Sequence, residues 1–250
     1  MLLSLSYLHG LGFFWKNLYI SENFYSHMFT LPTLEETALT LVLFIWILFV
    51  TSFVTRRIYN WMIGRGMAHH VAVYYNRKII HVLAGAVAAI VVAYYLKSYL
   101  PVIVLVAVLA VGNYLPHKRG RLMYWYQVED NMFEVHFVIM WGLIMGLGFY
   151  LGDVRLGLLP ILFMSVGDGV TGFVRNMLYR RRTKSWWGNL AMALFCIPVG
   201  FLLYGFLGIV AGVAASLIER FEFGKIDDNI TVPLVSFAFL KALPLMGVTI

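Results

Sequence analysis

Acidic residues are scarce in this chain, 12 among 250, so the places where they gather are informative. One is Asp168, inside Gly167-Asp168-Gly169-Val170-Thr171-Gly172, and the other is the group Glu219, Glu222, Asp227 and Asp228. Arg175, Arg180, Arg181, Arg182 and Lys184 follow Asp168 closely, with the hydroxyls of Thr183 and Ser185 beside Lys184. Carboxylates hold hard divalent cations such as Mg²⁺, and guanidinium, ammonium and hydroxyl groups bind phosphate oxygens. The combination is what a metal-bound polyphosphate needs at a membrane surface.

Taken singly, these residues have ordinary explanations. The Arg180 to Ser185 run reads as a basic membrane anchor, and Asp227-Asp228-Asn229 as a turn. Placed on one face, they read as two halves of a site, with Asp168, Asp227 and Asp228 as metal ligands. Arg77 and Lys78 add a cationic pair, and His81 shares a helical face with Lys78. Glu134 and His136 carry less weight. The glycines around Asp168 fit a dinucleotide-binding spacing, but that motif needs a strand before it. They serve better to bring backbones close together. No Walker motif occurs, and the histidines lack zinc-ligand spacing.

The elements that must position these residues are membrane helices. The chain is 61% hydrophobic and 12% charged, about half the charge of a soluble domain, which is roughly 25%. A hydrocarbon core about 30 Å thick takes roughly 20 apolar residues per helix. The expected fold is therefore all-α, a polytopic membrane protein with seven or eight transmembrane helices. The expected spans are 34–54, 79–96, 101–115, 133–151, 154–171, 188–204, 205–219 and 230–250. Thr33 and Glu36 offer a capping box for the first. The polar stretch 55–78 is expected outside the hydrocarbon, and Asp168 at the exit of its span. Residues 1–33 read as an apolar or interfacial segment, uncleaved because Lys16 follows its greasy run, and 34–250 as one transmembrane domain.

Lys16, Lys97 and Arg155 fall on one side of these spans and Lys241 inside the last; the rest of the 19 basic residues fall on the other side. The asymmetry puts the charged loops, and the site, on the cytoplasmic face of a multi-pass protein. A net charge of +7 in so apolar a chain points to anionic lipid or a phosphorylated substrate, and no nucleic-acid partner is expected. Cys196, the one cysteine, allows no internal disulfide.

Several of these pieces resemble the CTP-dependent polyprenol kinases, the group of dolichol and phytol kinases. They are Arg77-Lys78-Ile79-Ile80-His81, Gly167-Asp168, Thr183-Lys184-Ser185-Trp186-Trp187-Gly188 with Asn189, Glu219, and Asp228-Asn229-Ile230-Thr231-Val232-Pro233-Leu234. Order and spacing agree over about 77–237. The chain departs from the group's pattern at Gly169-Val170-Thr171-Gly172 and at Trp187. The resemblance implies a membrane enzyme moving the γ-phosphoryl group of CTP or another nucleoside triphosphate to a long-chain isoprenoid alcohol. Asp168, Lys184, Glu219 and His81 would then be catalytic. Arg77, Lys78, Arg175, Arg180, Arg181, Arg182, Thr183, Ser185 and Asn229 would bind the nucleotide phosphates. Mg²⁺ would sit on Asp168, Asp227 and Asp228. The rival readings are a CDP-lipid synthase, whose longer signature is absent, and a lipid or ion transporter.

Overall fold

The computed structural model describes residues 29–181, 183–221, 224 and 226–245. Most of the expected N-terminal segment 1–33, together with Arg182, Glu222 and Lys225, therefore lies outside the described residues. The architecture is all-α, with no β-strand among the described residues. The helices are α1 (Leu34–Gly64), α2 (His69–Tyr95), α3 (Leu100–Lys118), α4 (Phe133–Tyr150), α5 (Val154–Tyr179), α6 (Trp186–Ile218) and α7 (Asp228–Leu245). Six of them, α1 to α6, are long and apolar enough to cross a membrane, against the seven or eight expected.

The difference lies in two places. Two expected spans, 188–204 and 205–219, are the two arms of α6, a helical hairpin broken where Tyr204 (φ −139°) and Gly205 (φ 54°) leave helical geometry. The chain doubles back there, so Gly200 meets Gly208 and Gly212 lies against Cys196. A Cβ on Gly200 or Gly208 would overlap the other's carbonyl oxygen. The last expected span, 230–250, is described only as far as Leu245, as α7, which starts at Asp228 and carries Asn229 and Lys241.

Helix lengths also differ from expectation. The polar stretch 55–78 is helical except for a turn after Gly64; Arg56, Arg57 and Arg65 remain exposed, whereas Arg77 and Lys78 are buried against the bundle. Likewise α5 runs on to Tyr179, which puts Asp168 well inside a helix. Three π-helical stretches, Phe49–Val54, His81–Ala86 and Phe163–Gly167, interrupt α1, α2 and α5. The last two pack on one another. The expected capping box at Thr33 forms, with Thr33 N–H donating to Glu36 Oε2 at 2.9 Å and Glu36 N–H donating to Thr33 Oγ1 at 3.2 Å.

Hydrogen bonds sort the connections onto two ends of the bundle. At one end, Glu36 Oε1 accepts from the backbone N–H groups of Lys97 and Ser98, and Tyr204 donates its hydroxyl hydrogen to Asp153. At the other, Asn76 donates to the carbonyls of Thr55 and Trp125, and Asn229 to that of Phe133. Lys184 bridges Glu219 and Asp228 there. This second end carries the basic connections. Helix α5 is central, with 78% of its most apolar stretch buried, whereas α1 buries 17% and α3 11%. Large apolar side chains such as Leu41, Ile45, Leu194 and Phe201 are exposed on the outside, as expected where lipid is the solvent.

The α6 hairpin depends on backbone contact that only glycine allows. Gly208→Leu is expected to lower stability by about 1–3 kcal/mol, measured as thermal unfolding in detergent. Gly64→Ala, where a Cβ meets nothing within 4 Å, should stay within about 0.5 kcal/mol of the parent.

Candidate active site

The site is assembled where α2, α5, the 180–185 connection, the end of α6 and the start of α7 converge. Successive residues on α2 point to different neighbours. Lys78 reaches α5, where its Nζ donates to both oxygens of Asp168 at 2.7 and 2.6 Å. Arg77 turns towards α4 and lies 3.7 Å over the Phe133 ring. One turn beyond Lys78, His81 Nδ1 lies 3.2 Å from Asp168 Oδ2, and its ring stacks on Phe137 at 4.1 Å. Lys78, His81 and Asp168 are all buried. Gly172 makes room for this pair, since a Cβ there would overlap the Lys78 stem.

Two turns after Asp168, Arg175 forms a second buried pair, a two-pronged contact with Glu219 at 2.6 and 2.7 Å. The same guanidinium donates to the Ser185 carbonyl and to Asn189 Oδ1. It lies against Gly188, where any side chain would overlap it. Asn189 also donates to the Ser216 carbonyl, and Ser216 Oγ donates to the Asn189 carbonyl, so the two arms of α6 are tied together beside Glu219.

Lys184 closes the arrangement. Its Nζ donates to Glu219 Oε1, to the Glu219 carbonyl and to Asp228 Oδ2, at 2.7 to 2.8 Å. Burial alone would lower the Lys184 ammonium pKa, but the carboxylates of Asp228 and Glu219 outweigh it and push the value up. Glu219 is held above the usual carboxylate range by burial, and Asp228 beside it adds to this against Lys184 and Arg175. Two acids thus share one lysine.

Asp168, Glu219 and Asp228 each present one oxygen, all within 4.8 Å of one another. Acids from α5, from the end of α6 and from the start of α7 could together hold a metal ion. Asp227, also expected as a ligand, points elsewhere: its Oδ2 contacts His136 at 2.8 Å, and its Oδ1 accepts from Asn229 N–H at the start of α7. Burial, reinforced by Asp228, pushes the Asp227 carboxyl up. Asn229 is buried and donates to the Phe133 carbonyl.

Of the expected phosphate-binding groups, Arg180 and Arg181 are exposed at the surface next to the site. Thr183 Oγ1 and Ser185 Oγ are buried without a hydrogen-bond partner among the described residues. Two hydroxyls lacking partners on either side of Lys184 suit a ligand rich in acceptors. Asn189 and Ser216 were not singled out as site residues from sequence. Their signal was a polar side chain inside an apolar helix, easily taken for a helix end.

No protein-family model matches the chain, and no solved structure gives a significant match. Among curated proteins, the phytol kinase of Synechocystis sp. is 33% identical over 179 residues, which cover 64% of this chain and 76% of that enzyme. The chain belongs to the polyprenol kinase family that includes phytol kinase.

Proposed function

We propose that the protein transfers the γ-phosphoryl group of CTP to a phytol-like isoprenoid alcohol, using Mg²⁺ and working at the cytoplasmic face. The observation that carries this reading is the set of three carboxylates, Asp168, Glu219 and Asp228, within 4.8 Å and flanked by Lys78, Arg175 and Lys184. Oxygen donors in this number suit Mg²⁺, which combines a few protein carboxylates with phosphate oxygens and water. Held by Asp168, Glu219 and Asp228, the ion would offset the charge of the nucleotide phosphates.

The alcohol oxygen attacks the γ-phosphorus, the bond from the γ-phosphorus to the β–γ bridging oxygen breaks, and CDP leaves. Lys78 and Lys184 lie beside the acids and neutralise the oxygens over which charge spreads. Thr183 and Ser185 donate to phosphate oxygens, and the exposed Arg180 and Arg181, with Arg182, draw the nucleotide in. Arg175 is committed to Glu219, so it shapes the site through that acid. Glu219 is itself held by Arg175 and Lys184, so we assign His81 as the acceptor of the hydroxyl proton. The basic end of the bundle faces the cytoplasm by the asymmetry of its charges.

Purified protein given labelled CTP, Mg²⁺ and phytol is expected to yield a prenyl monophosphate and CDP, with turnover lost on chelation. Pyrophosphate and a CDP-lipid would instead identify a cytidylyltransferase, and solute flux without nucleotide a transporter.

Asp168→Asn is expected to lower kcat by about 100-fold or more. It also strands Lys78, at a cost of about 3–5 kcal/mol. Pairing it with Lys78→Met should recover thermal stability without recovering turnover. A double variant that is both stable and active would take Asp168 out of the mechanism.

A further inference from the structure

A cavity of about 230 Å³ lies between α1, α2, α3 and α4, on the far side of His81 from the acids. Its character changes along its length. Helix α2 runs away from the basic end of the bundle, so Arg77, His81, Ala84 and Ala88 line it at increasing depth. Near the basic end it meets Arg77, Asn113, Tyr126 and Glu134; deeper, it meets Phe44, Ala88, Leu105 and Trp141. The Trp141 indole N–H is already bonded to the Gly85 carbonyl, so that ring offers an apolar surface. Leu48 and Val108 line the same cavity while remaining 42% and 50% exposed, which places an opening to the lipid between α1 and α3.

One polar atom at the shallow end lacks a partner. Glu134 Oε1 accepts from His117 and Gln127, but Oε2 is buried with none among the described residues. A buried acceptor left in that state costs about 1–3 kcal/mol. What fits is a ligand with one hydroxyl donor at the head of an apolar chain. Arg77 lies at this end too, with its guanidinium over the Phe133 ring, but a nucleotide would still set its phosphates against Glu134 and its polar groups against the deep apolar wall. A phospholipid has the same phosphate and a second chain. The His81 ring separates this cavity from Asp168, so a head group held here is one imidazole away from the carboxylates.

From this we infer that the α1–α4 cavity is where the acceptor docks, with Glu134 Oε2 taking the hydrogen bond of an isoprenoid alcohol before its hydroxyl passes to His81 for transfer, and its tail leaving between α1 and α3. The inference rests on the kinase reading for the identity of the alcohol. Pockets that enclose a whole drug-sized ligand measure about 300–1,000 Å³, so this one encloses only the head and the first isoprene units. Recognition then depends on the hydroxyl and the units next to it, and the tail stays in lipid.

The test uses the full chain in lipid nanodiscs with a farnesol analogue bearing a diazirine beside the hydroxyl-bearing carbon. Light is expected to attach it to the 105–113 or 134–141 segments, with phytol competing and phytane, the same hydrocarbon without the hydroxyl, competing about tenfold less well. At Gly112, which lines the cavity, a Cβ meets nothing within 4 Å, so Gly112→Phe fills space without moving backbone. It is expected to raise the KM for phytol about tenfold or more, leaving the CTP-induced thermal shift unchanged. Glu134→Gln, which sets a donor where the acceptor was, should raise the same KM about tenfold. Labelling elsewhere, or an unchanged phytol KM in both variants, overturns the inference even if the kinase is active. Hydroxyl-dependent labelling of the cavity in a protein that makes no prenyl phosphate overturns the kinase reading and leaves the alcohol site standing.

Discussion

Charge balance inside an apolar bundle is the constraint on which the rest of the structure depends. Asp168, Glu219 and Asp228 are buried, and a buried ion costs several kcal/mol unless a partner of opposite sign is held against it. Lys78, Arg175 and Lys184 are those partners, each from a different part of the chain. The ion pairs therefore connect α2 with α5, α5 with the end of α6, and the 180–185 connection with α7. In the proposed reaction a cation and a polyphosphate would enter together. The acids could then turn to the metal and the lysines to phosphate, an exchange of partners that leaves the buried charge nearly balanced.

The backbone is shaped to let those pairs form. Gly172 lies against the stem of Lys78 and Gly188 against the guanidinium of Arg175, and a methyl group at either would overlap that side chain. The π-helical stretches at His81–Ala86 and Phe163–Gly167 pack together, one starting at His81 and the other ending next to Asp168. A π-helical turn takes in an extra residue and so rotates the side chains that follow it, which is why such turns often mark functional positions. Here two of them face each other at the junction between the acids and the apolar cavity. The glycine contact in α6 returns the chain to the same end of the bundle, so Asn189 and Glu219 become neighbours.

Much of the charged half of this arrangement was legible in the sequence, because an ionisable residue in so apolar a chain needs a reason to be there. Asp168, Lys184, Glu219 and Asp228 stood out for that reason. Their pairing did not, since it depends on which helices are neighbours. Asp227 and Asp228 look alike as a doublet, yet adjacent residues at a helix start point in different directions: one bonds the Asn229 backbone N–H and the other faces Lys184. The helices run on past the expected span ends at Val54 and Thr171: on α1 the continuation carries exposed Arg56 and Arg57, whereas on α5 Arg175 and Asn176 find partners within the bundle. The cavity left no trace in the sequence. It is bounded by ordinary apolar residues, and its existence is a matter of how four helices fail to close on one another.

The opening between Leu48 and Val108 carries a kinetic consequence. A substrate that enters from the side is met in two dimensions, so its working concentration is its mole fraction in the surrounding lipid and not its amount per volume of water. Diluting the membrane with inert lipid would slow such an enzyme even with total alcohol held constant, whereas the nucleotide would still follow its aqueous concentration. One active site would thus answer to two separate reservoirs, the composition of the bilayer and that of the solution beside it.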